Sequence, residues 1–332
     1  MKPILITGAT GFLGKHLVER LKEHTDAPLR LLCRGACPWD SDPRIEVVRG
    51  DVLRRDDVAR AMKGVGQVYH LAGIVSRDPK DKWLLYQAHI DGTRNVCESA
   101  LANGSPRVLV ASSSGTIAVS REPNVHTEKS GYKHDVVGGW AYYLSKIYTE
   151  KLALHYFHEY KLPVVIVNPA LLLGPGDDRG SSTGDVELFL KGGVLAIPLG
   201  GMSFVDVRDV APALIAAMDR GRPGERYLLG GPNWTFRKVI EVLSQVSGIA
   251  GPKMRLPFSA SLWSARLLRS LFPLVGKSFE GLDDDTIRMS ALYWYCDSSK
   301  AKSELGFESR DPVVTMRETV EDIRRRWKTA KA

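Results

Sequence analysis

A doubly wound parallel α/β sheet joined to a smaller mixed lobe is the architecture this sequence predicts, and three observations carry it. Short apolar runs alternate with helical periodicity from the N-terminus to about residue 170. A glycine-rich turn, Thr7-Gly8-Ala9-Thr10-Gly11-Phe12-Leu13-Gly14, separates the first run from the first helical pattern. From about Gly174 the texture changes to glycine- and proline-rich loops, as in Gly174-Pro175-Gly176 and Gly192-Gly193.

The elements follow in order. Pro3-Ile4-Leu5-Ile6 reads as a buried parallel strand, and Leu17, Val18 and Leu21 recur at helical spacing between Lys15 and Lys22. Leu29 to Cys33 and Ile45 to Val48 are the second and third strands, with a helical piece from Asp56 to Met62 after them. Val65 to Leu71 is the fourth, ending in His70-Leu71-Ala72-Gly73, and one long helix runs from about Trp83 to Ala102. Arg107 to Ala111 is the fifth strand, terminating in Ser112-Ser113-Ser114-Gly115. A second long helix spans about Gly139 to Tyr160, and Pro163 to Val167 is the sixth strand, closed by Asn168-Pro169. Ligands of such sheets bind beyond the carboxyl ends of the strands, so the chemistry is expected in these strand endings. Phe204 to Val207, a helix from Asp209 to Asp219, and Arg226 to Leu229 predict a return to the sheet. The expected division is therefore residues 1–173 with a return at 204–230, and a second lobe of 174–203 and 231–332.

Composition narrows the function classes. The 332 residues, 44% hydrophobic and 25% charged, are ordinary for a globular protein with ample length for a core. The net charge of +8 is spread along the chain, and its tightest cluster, Arg324-Arg325-Arg326, lies in the C-terminal helix, where positive charge is favourable. Nucleic acid is therefore not the expected partner. Cys33, Cys37, Cys97 and Cys296 are scattered without metal-ligand spacing or a disulfide framework, which fits reduced thiols in a cytoplasmic protein with no metal. The first strand begins within three residues of Met1, so no signal peptide is expected, and no run approaches the ~18 apolar residues of a membrane span. The apolar stretch from Leu262 to Val275, with Arg266 and Arg269 inside it, is either a lid over an apolar pocket or a membrane-surface contact.

The glycine turn lets the backbone approach a pyrophosphate, whose charge the free N–H groups at the helix start attract. Tyr142 and Lys146 lie four apart on the second long helix, and no other tyrosine has a lysine four residues on. Both side chains therefore project from one face. A phenol titrates near ~10, and a neighbouring ammonium is expected to lower that value toward neutrality. Ser113 at the preceding strand end is placed to hold a substrate oxygen while Tyr142 transfers a proton. Ser114 competes for that role, and strand register favours Ser113.

With these motifs in place the chain resembles the extended branch of the short-chain dehydrogenase/reductase superfamily, with its Rossmann-type nucleotide domain. The carrying motifs are the G-x-x-G-x-x-G turn, Gly50-Asp51-Val52, His70-Leu71-Ala72-Gly73, Ser112-Ser113-Ser114, Tyr142-Tyr143-Leu144-Ser145-Lys146 and Asn168-Pro169. The resemblance implies that Ser113, Tyr142 and Lys146 are the catalytic set. It implies a dinucleotide held by Gly8, Thr10, Gly11, Phe12, Leu13 and Gly14, by Arg34, and by Asp51 and Val52 at the adenine. Leu71, Ala72, Gly73, Pro169, Ala170 and Leu171 complete that implied site, together with Tyr142 and Lys146. Asn168 to Pro175, Arg226 to Gly231 and Ser299-Lys300-Ala301 narrow the resemblance to dihydroflavonol-4-reductase-like enzymes. Sugar-nucleotide relatives usually carry an arginine just before the Val-Asp segment, and Gly201-Met202-Ser203-Phe204-Val205 has none. His89 stands where the branch usually has a structural asparagine.

About twenty residues beyond the glycine turn, where a carboxylate would hold a free ribose 2′-hydroxyl, stands Arg34. An arginine suits a 2′-phosphate, so NADP(H) is the expected cofactor ahead of NAD(H). The expected activity is reduction of a carbonyl on a small, fairly apolar substrate. The alternatives are a sugar or nucleotide-sugar epimerase or dehydratase with tightly bound NAD, and a dinucleotide sensor without turnover. The pocket is expected from residues 176–202 and 257–282. A homodimer through the two long helices is the implied assembly, although Leu84, Leu85, Ile147, Leu152 and Leu154 could equally face the sheet.

Overall fold

Seven parallel strands form the main sheet, in the order β3 (Ile45–Arg49), β2 (Leu29–Cys33), β1 (Ile4–Thr7), β4 (Gln67–His70), β5 (Arg107–Ala111), β6 (Val164–Pro169) and β9 (Arg226–Leu229). The computed structural model describes residues 1–254 and 284–330. The Leu262 to Val275 segment and the expected 257–282 pocket stretch lie outside the described residues.

Side-chain alternation explains why these strands are apolar throughout. Ile4 and Ile6, Leu109, and Val165 and Val167 enter one core, while Leu5, Val108 and Val110, and Val164 and Ile166 enter the other. Successive strand residues point to opposite faces, and here both faces are covered. Helices α1 (Phe12–His24) and α8 (Val207–Arg220) cover the first face. Helices α2 (Arg55–Met62), α4 (Gly92–Ala102) and α6 (Ala141–Tyr160) cover the second. Each fully buried aliphatic side chain contributes about 1.5–3 kcal/mol, so two such layers hold the sheet firmly. The strand order reverses between β1 and β4, which opens a cleft at their carboxyl ends.

The second lobe contains a small mixed sheet in which β8 (Gly201–Asp206) pairs with β7 (Leu171–Leu173), β10 (Asn233–Thr235) and β11 (Tyr293–Trp294). Helices α7 (Gly184–Leu190), α9 (Phe236–Ser247) and α12 (Pro312–Thr329) pack around it in a separate apolar core. Thus β8 lies in the small sheet, whereas α8 and β9 rejoin the large one. The remaining helices of the described residues are α3 (Lys82–Tyr86), α5 (His134–Val137), α10 (Asp284–Ser290) and α11 (Ser299–Leu305).

Two helices differ from the sequence expectation. Helix α1 starts at Phe12 rather than Lys15, because Gly11 caps it and Gly14 already lies in its first turn. The long Trp83–Ala102 helix is interrupted by a wide π turn at Gln87–Asp91 between α3 and α4. There the His89 carbonyl accepts hydroxyl hydrogen bonds from Thr93 at 2.6 Å and Thr149 at 2.9 Å, which stabilise the widened turn.

Candidate active site

The glycine turn is shaped by close backbone contact. Gly8 adopts φ +75°, and a Cβ there would meet Ala72 N at 2.6 Å. A Cβ on Gly14 would stand 2.2 Å from the Gly8 carbonyl oxygen. The end of β1, the end of β4 and the first turn of α1 are therefore pressed together, leaving no room for side chains. Helix α1 follows the N-cap Gly11, which supplies no side-chain cap, and has no acidic residue in its first turn. Its first N–H donors lack intrahelical partners and suit an anion. This cradle fits a dinucleotide pyrophosphate.

A cavity of about 1450 Å³ runs from this turn into the second lobe. Gly8, Thr10, Gly11, Phe12, Leu13, Gly14 and Arg34 line its near end, with Leu71, Gly73, Pro169, Ala170 and Leu171 along it. Ser113, Tyr142 and Lys146 line the middle. Asp51, Val52 and Ala72 do not line it. The Asp51 carboxylate accepts from Leu53 N at 3.0 Å and stands 4.0 Å from the Arg34 guanidinium. The Ala72 N–H donates to Thr7 Oγ1 at 3.2 Å, so this residue shapes the turn through its backbone. Arg34 itself is 69% exposed, a cation at the rim.

The far wall is apolar, built from Val194, Leu199, Met202, Phe236, Ile240, Leu243 and Trp294. Met202 and Ser203 occupy the cavity wall where a sugar-nucleotide enzyme is expected to show arginine. At its mouth Arg77 makes a bidentate ion pair with Asp185, both bonds at 2.8 Å, linking the two lobes.

In the middle, helix α6 presents Tyr142 and Lys146 to the cavity from successive turns. Tyr142 is partly accessible from the cavity, yet enclosure pushes its phenol up to about 12, with the Ser113 hydroxyl acting in the opposite sense. The sequence expectation that Lys146 would draw this phenol toward neutrality is corrected here: burial dominates, and the phenol keeps its proton. Burial pushes the Lys146 ammonium down to about 8, opposed by the carboxylate of Glu150. Lys146 Nζ donates to the Ala111 carbonyl at 3.0 Å. The hydroxyl that faces Tyr142 is that of Ser113, whereas Ser114 opens the next 3₁₀ turn and is buried. The neighbouring Tyr143 stacks on Trp294, with ring centroids 4.9 Å apart.

Two buried histidines hold the turn after β4. The Ile74 N–H donates to His89 Nε2 at 3.1 Å, so the His89 proton sits on Nδ1 and points to Ser145 Oγ at 2.8 Å. Ser145 Oγ donates in turn to the Tyr142 carbonyl at 2.7 Å. Below it, Thr93 Oγ1 already donates to the His89 carbonyl, so it accepts from His70 Nε2 at 3.0 Å. Thr7 Oγ1 then bonds His70 Nδ1 at 2.8 Å. Burial keeps both rings neutral, with His70 lowered to about 3 and His89 well below its usual value. His89 thus has a structural role at this position, tying the cavity floor to the tyrosine's own helix. Sequence reasoning also missed Glu150 and the Arg77–Asp185 pair. The i, i+4, i+8 series of Tyr142, Lys146 and Glu150 was a usable signal for the first. No sequence signal joins residues 77 and 185.

Among the described residues no helix is long and apolar enough to cross a membrane, and no cluster of three or more histidine, cysteine or carboxylate side chains could hold a metal ion.

Comparison with known proteins agrees with this geometry. Residues 4–230 match the model of the NAD dependent epimerase/dehydratase family. The chain is 32% identical to a putative dihydroflavonol 4-reductase of Synechocystis sp., over 91% of this chain and 88% of that one. It is 31% identical to sterol demethylase protein B of Methylococcus capsulatus, over 91% of this chain and 92% of that one. The solved structure of gox2253 superposes with a TM-score of 0.83 at 30% identity, covering 98% of each chain. This chain belongs to the NAD dependent epimerase/dehydratase family, as an NAD(P)-dependent extended short-chain dehydrogenase/reductase of the dihydroflavonol-4-reductase-like type.

Proposed function

We propose that the protein is an NADPH-dependent reductase of a carbonyl on a small, fairly apolar substrate. One observation carries this reading: the Tyr142 phenol and the Ser113 hydroxyl face each other beside a cavity whose far wall is apolar. When bound, the reduced nicotinamide supplies the hydride that adds to the carbonyl carbon. Tyr142, which holds its proton throughout the neutral range, gives it to the carbonyl oxygen. Ser113 donates a hydrogen bond to that oxygen as negative charge develops there. Lys146 places a positive charge next to the phenolate left behind and stabilises it. The apolar wall formed by Met202, Phe236 and Ile240 receives the rest of the substrate and excludes water. The name of the Methylococcus relative, which refers to a sterol, fits an apolar acceptor.

Arg34 supports NADPH over NADH. Its exposed guanidinium at the end of β2 can reach a 2′-phosphate as a charge-assisted donor. The same reading includes a homodimer through the two long helical stretches, α3 to α4 and α6, along which Trp83, Leu84 and Tyr148 are exposed. It places the enzyme in the cytoplasm.

A panel of aldehydes and ketones, monitored by NADPH absorbance with nucleotide-sugars as controls, tests the activity. Net NADPH consumption with apolar carbonyls is the expected result. Co-purifying NAD together with interconversion of a nucleotide-sugar would replace this reading with the epimerase one. NADH binding tighter than NADPH would remove the cofactor assignment, and Arg34→Ala should weaken NADPH about tenfold while sparing NADH. A monomer mass by light scattering would remove the dimer.

A further inference from the structure

Helix α6 carries a third polar side chain on the stripe of Tyr142 and Lys146. Glu150 stands one turn beyond the lysine and is completely buried. Its Oε1 accepts hydrogen bonds from the Ser112 hydroxyl, from Asn168 Nδ2 at 2.7 Å and from Thr116 Oγ1 at 2.8 Å. Three donor groups gather around one oxygen of this carboxylate, the single Thr116 hydroxyl proton being shared with the Ser113 carbonyl at 2.8 Å. Burying such a charge without a partner is costly. Its visible partner, Arg226 on β9, approaches Oε2 only at 3.4 Å. That guanidinium also donates to the Glu128 carbonyl at 3.2 Å and lies over the Tyr132 ring at 4.9 Å. Arg226 therefore divides its contacts among three groups.

Lys146 stands one helical turn before Glu150 on the same stripe; its ammonium is not in contact with the carboxylate and bonds the Ala111 carbonyl instead, but it feels the carboxylate's charge. The groups that face it are His70 from β4, His89 from the π turn, and Tyr142 and Glu150 from its own helix. Burial keeps both imidazoles neutral and Tyr142 protonated, and Glu150 is the one carboxylate among these four groups. Around Glu150 itself stand Arg226, Lys146 and the Tyr132 phenol. The two charges also grip adjacent residues of one strand end. Lys146 donates to the Ala111 carbonyl, and Ser112 donates to Glu150. Asn168, held by Glu150, donates further to the Ser113 carbonyl at 3.0 Å.

We propose that Glu150 is a positioning residue of the site: it supplies Lys146 with its buried counter-charge and, through Ser112, Thr116 and Asn168, fixes the turn that carries Ser113. The proposal rests on the Tyr142–Lys146 reading, and its first test does not require turnover. In protein with ¹³C-labelled lysine, the signal lost in Lys146→Arg is titrated in the wild-type and Glu150→Gln proteins. The amide keeps the shape and removes the charge. The Lys146 midpoint, near 8 in the intact site, is expected to fall by about one pH unit when the opposite charge is withdrawn. The alkaline limb of kcat should move down by the same amount, because the ammonium then loses its proton at lower pH. If Glu150→Gln does not fold, Arg226→Gln serves instead: it removes a competing cation and should move the midpoint upward. An unchanged midpoint in the folded variant, with only thermal stability lost, overturns the proposal. A shifted midpoint without carbonyl reduction would sustain it while refuting the activity.

Discussion

The two ends of the cavity are made of different material. At the nucleotide end the contact surface is backbone: Gly8, Gly11 and Gly14 press three elements together at the start of a helix without a side-chain cap. At the substrate end it is side chain, drawn from the 191–199 loop, β8, α9 and the Trp294 region. A backbone-made site demands residues without side chains at fixed spacing, so substitution there is costly. A side chain-made wall needs only apolar volume, which many residues supply. The first end is therefore rigid in sequence, and the second is free to change its ligand. Between them Tyr142, Lys146 and Ser113 sit on elements of the large sheet and its helix.

Three substitutions probe this contrast, from the largest expected effect to the smallest. Tyr142→Phe removes the proton donor between the two ends and should lower kcat by a factor of about a hundred to ten thousand. NADPH affinity, measured by fluorescence titration, should persist; near-normal turnover would refute the assignment. Gly14→Ala forces a methyl group to within 2.2 Å of the Gly8 carbonyl, and neither atom belongs to a flexible side chain. Overpacking of this kind costs about 1–3 kcal/mol, so both melting temperature and dinucleotide affinity should drop. Unimpaired NADPH binding in that variant would show that the cradle is not backbone-made. Phe236→Ala enlarges the apolar wall without touching the nucleotide end. It should raise KM for apolar carbonyls about tenfold and leave the NADPH Kd unchanged. If both constants moved together, the two ends would not be separable.

Much of the fold is legible because the signals are local. The unbroken apolar run of Ile4, Leu5 and Ile6 reports burial on both faces, and the structure distributes these residues between two cores. The break at Gln87–Asp91 is not legible, because a helical pattern does not say where a turn will widen. The hydroxyls of Thr93 and Thr149 that support it come from two helices. The placement of β8 in the small sheet escapes sequence reading for a similar reason: a short apolar strand pairs with whichever edge the chain brings to it. The titration of Tyr142 shows the same limit. Spacing placed a cation one turn away, but the magnitude of burial decided the direction.

By itself the sequence determined the features that depend on neighbours in the chain. These are the glycine spacing of the turn, the alternation of strands and helices, and the pairing of Tyr142 with Lys146 on one helical face. Only the tertiary structure decided which distant groups meet. It set His89 against Ile74 and Ser145, closed Glu150 among Ser112, Thr116, Asn168 and Arg226, and joined Arg77 to Asp185 across 108 residues. The physical reason is that local spacing follows from backbone geometry alone, whereas a buried charge or an apolar wall is defined by everything packed against it.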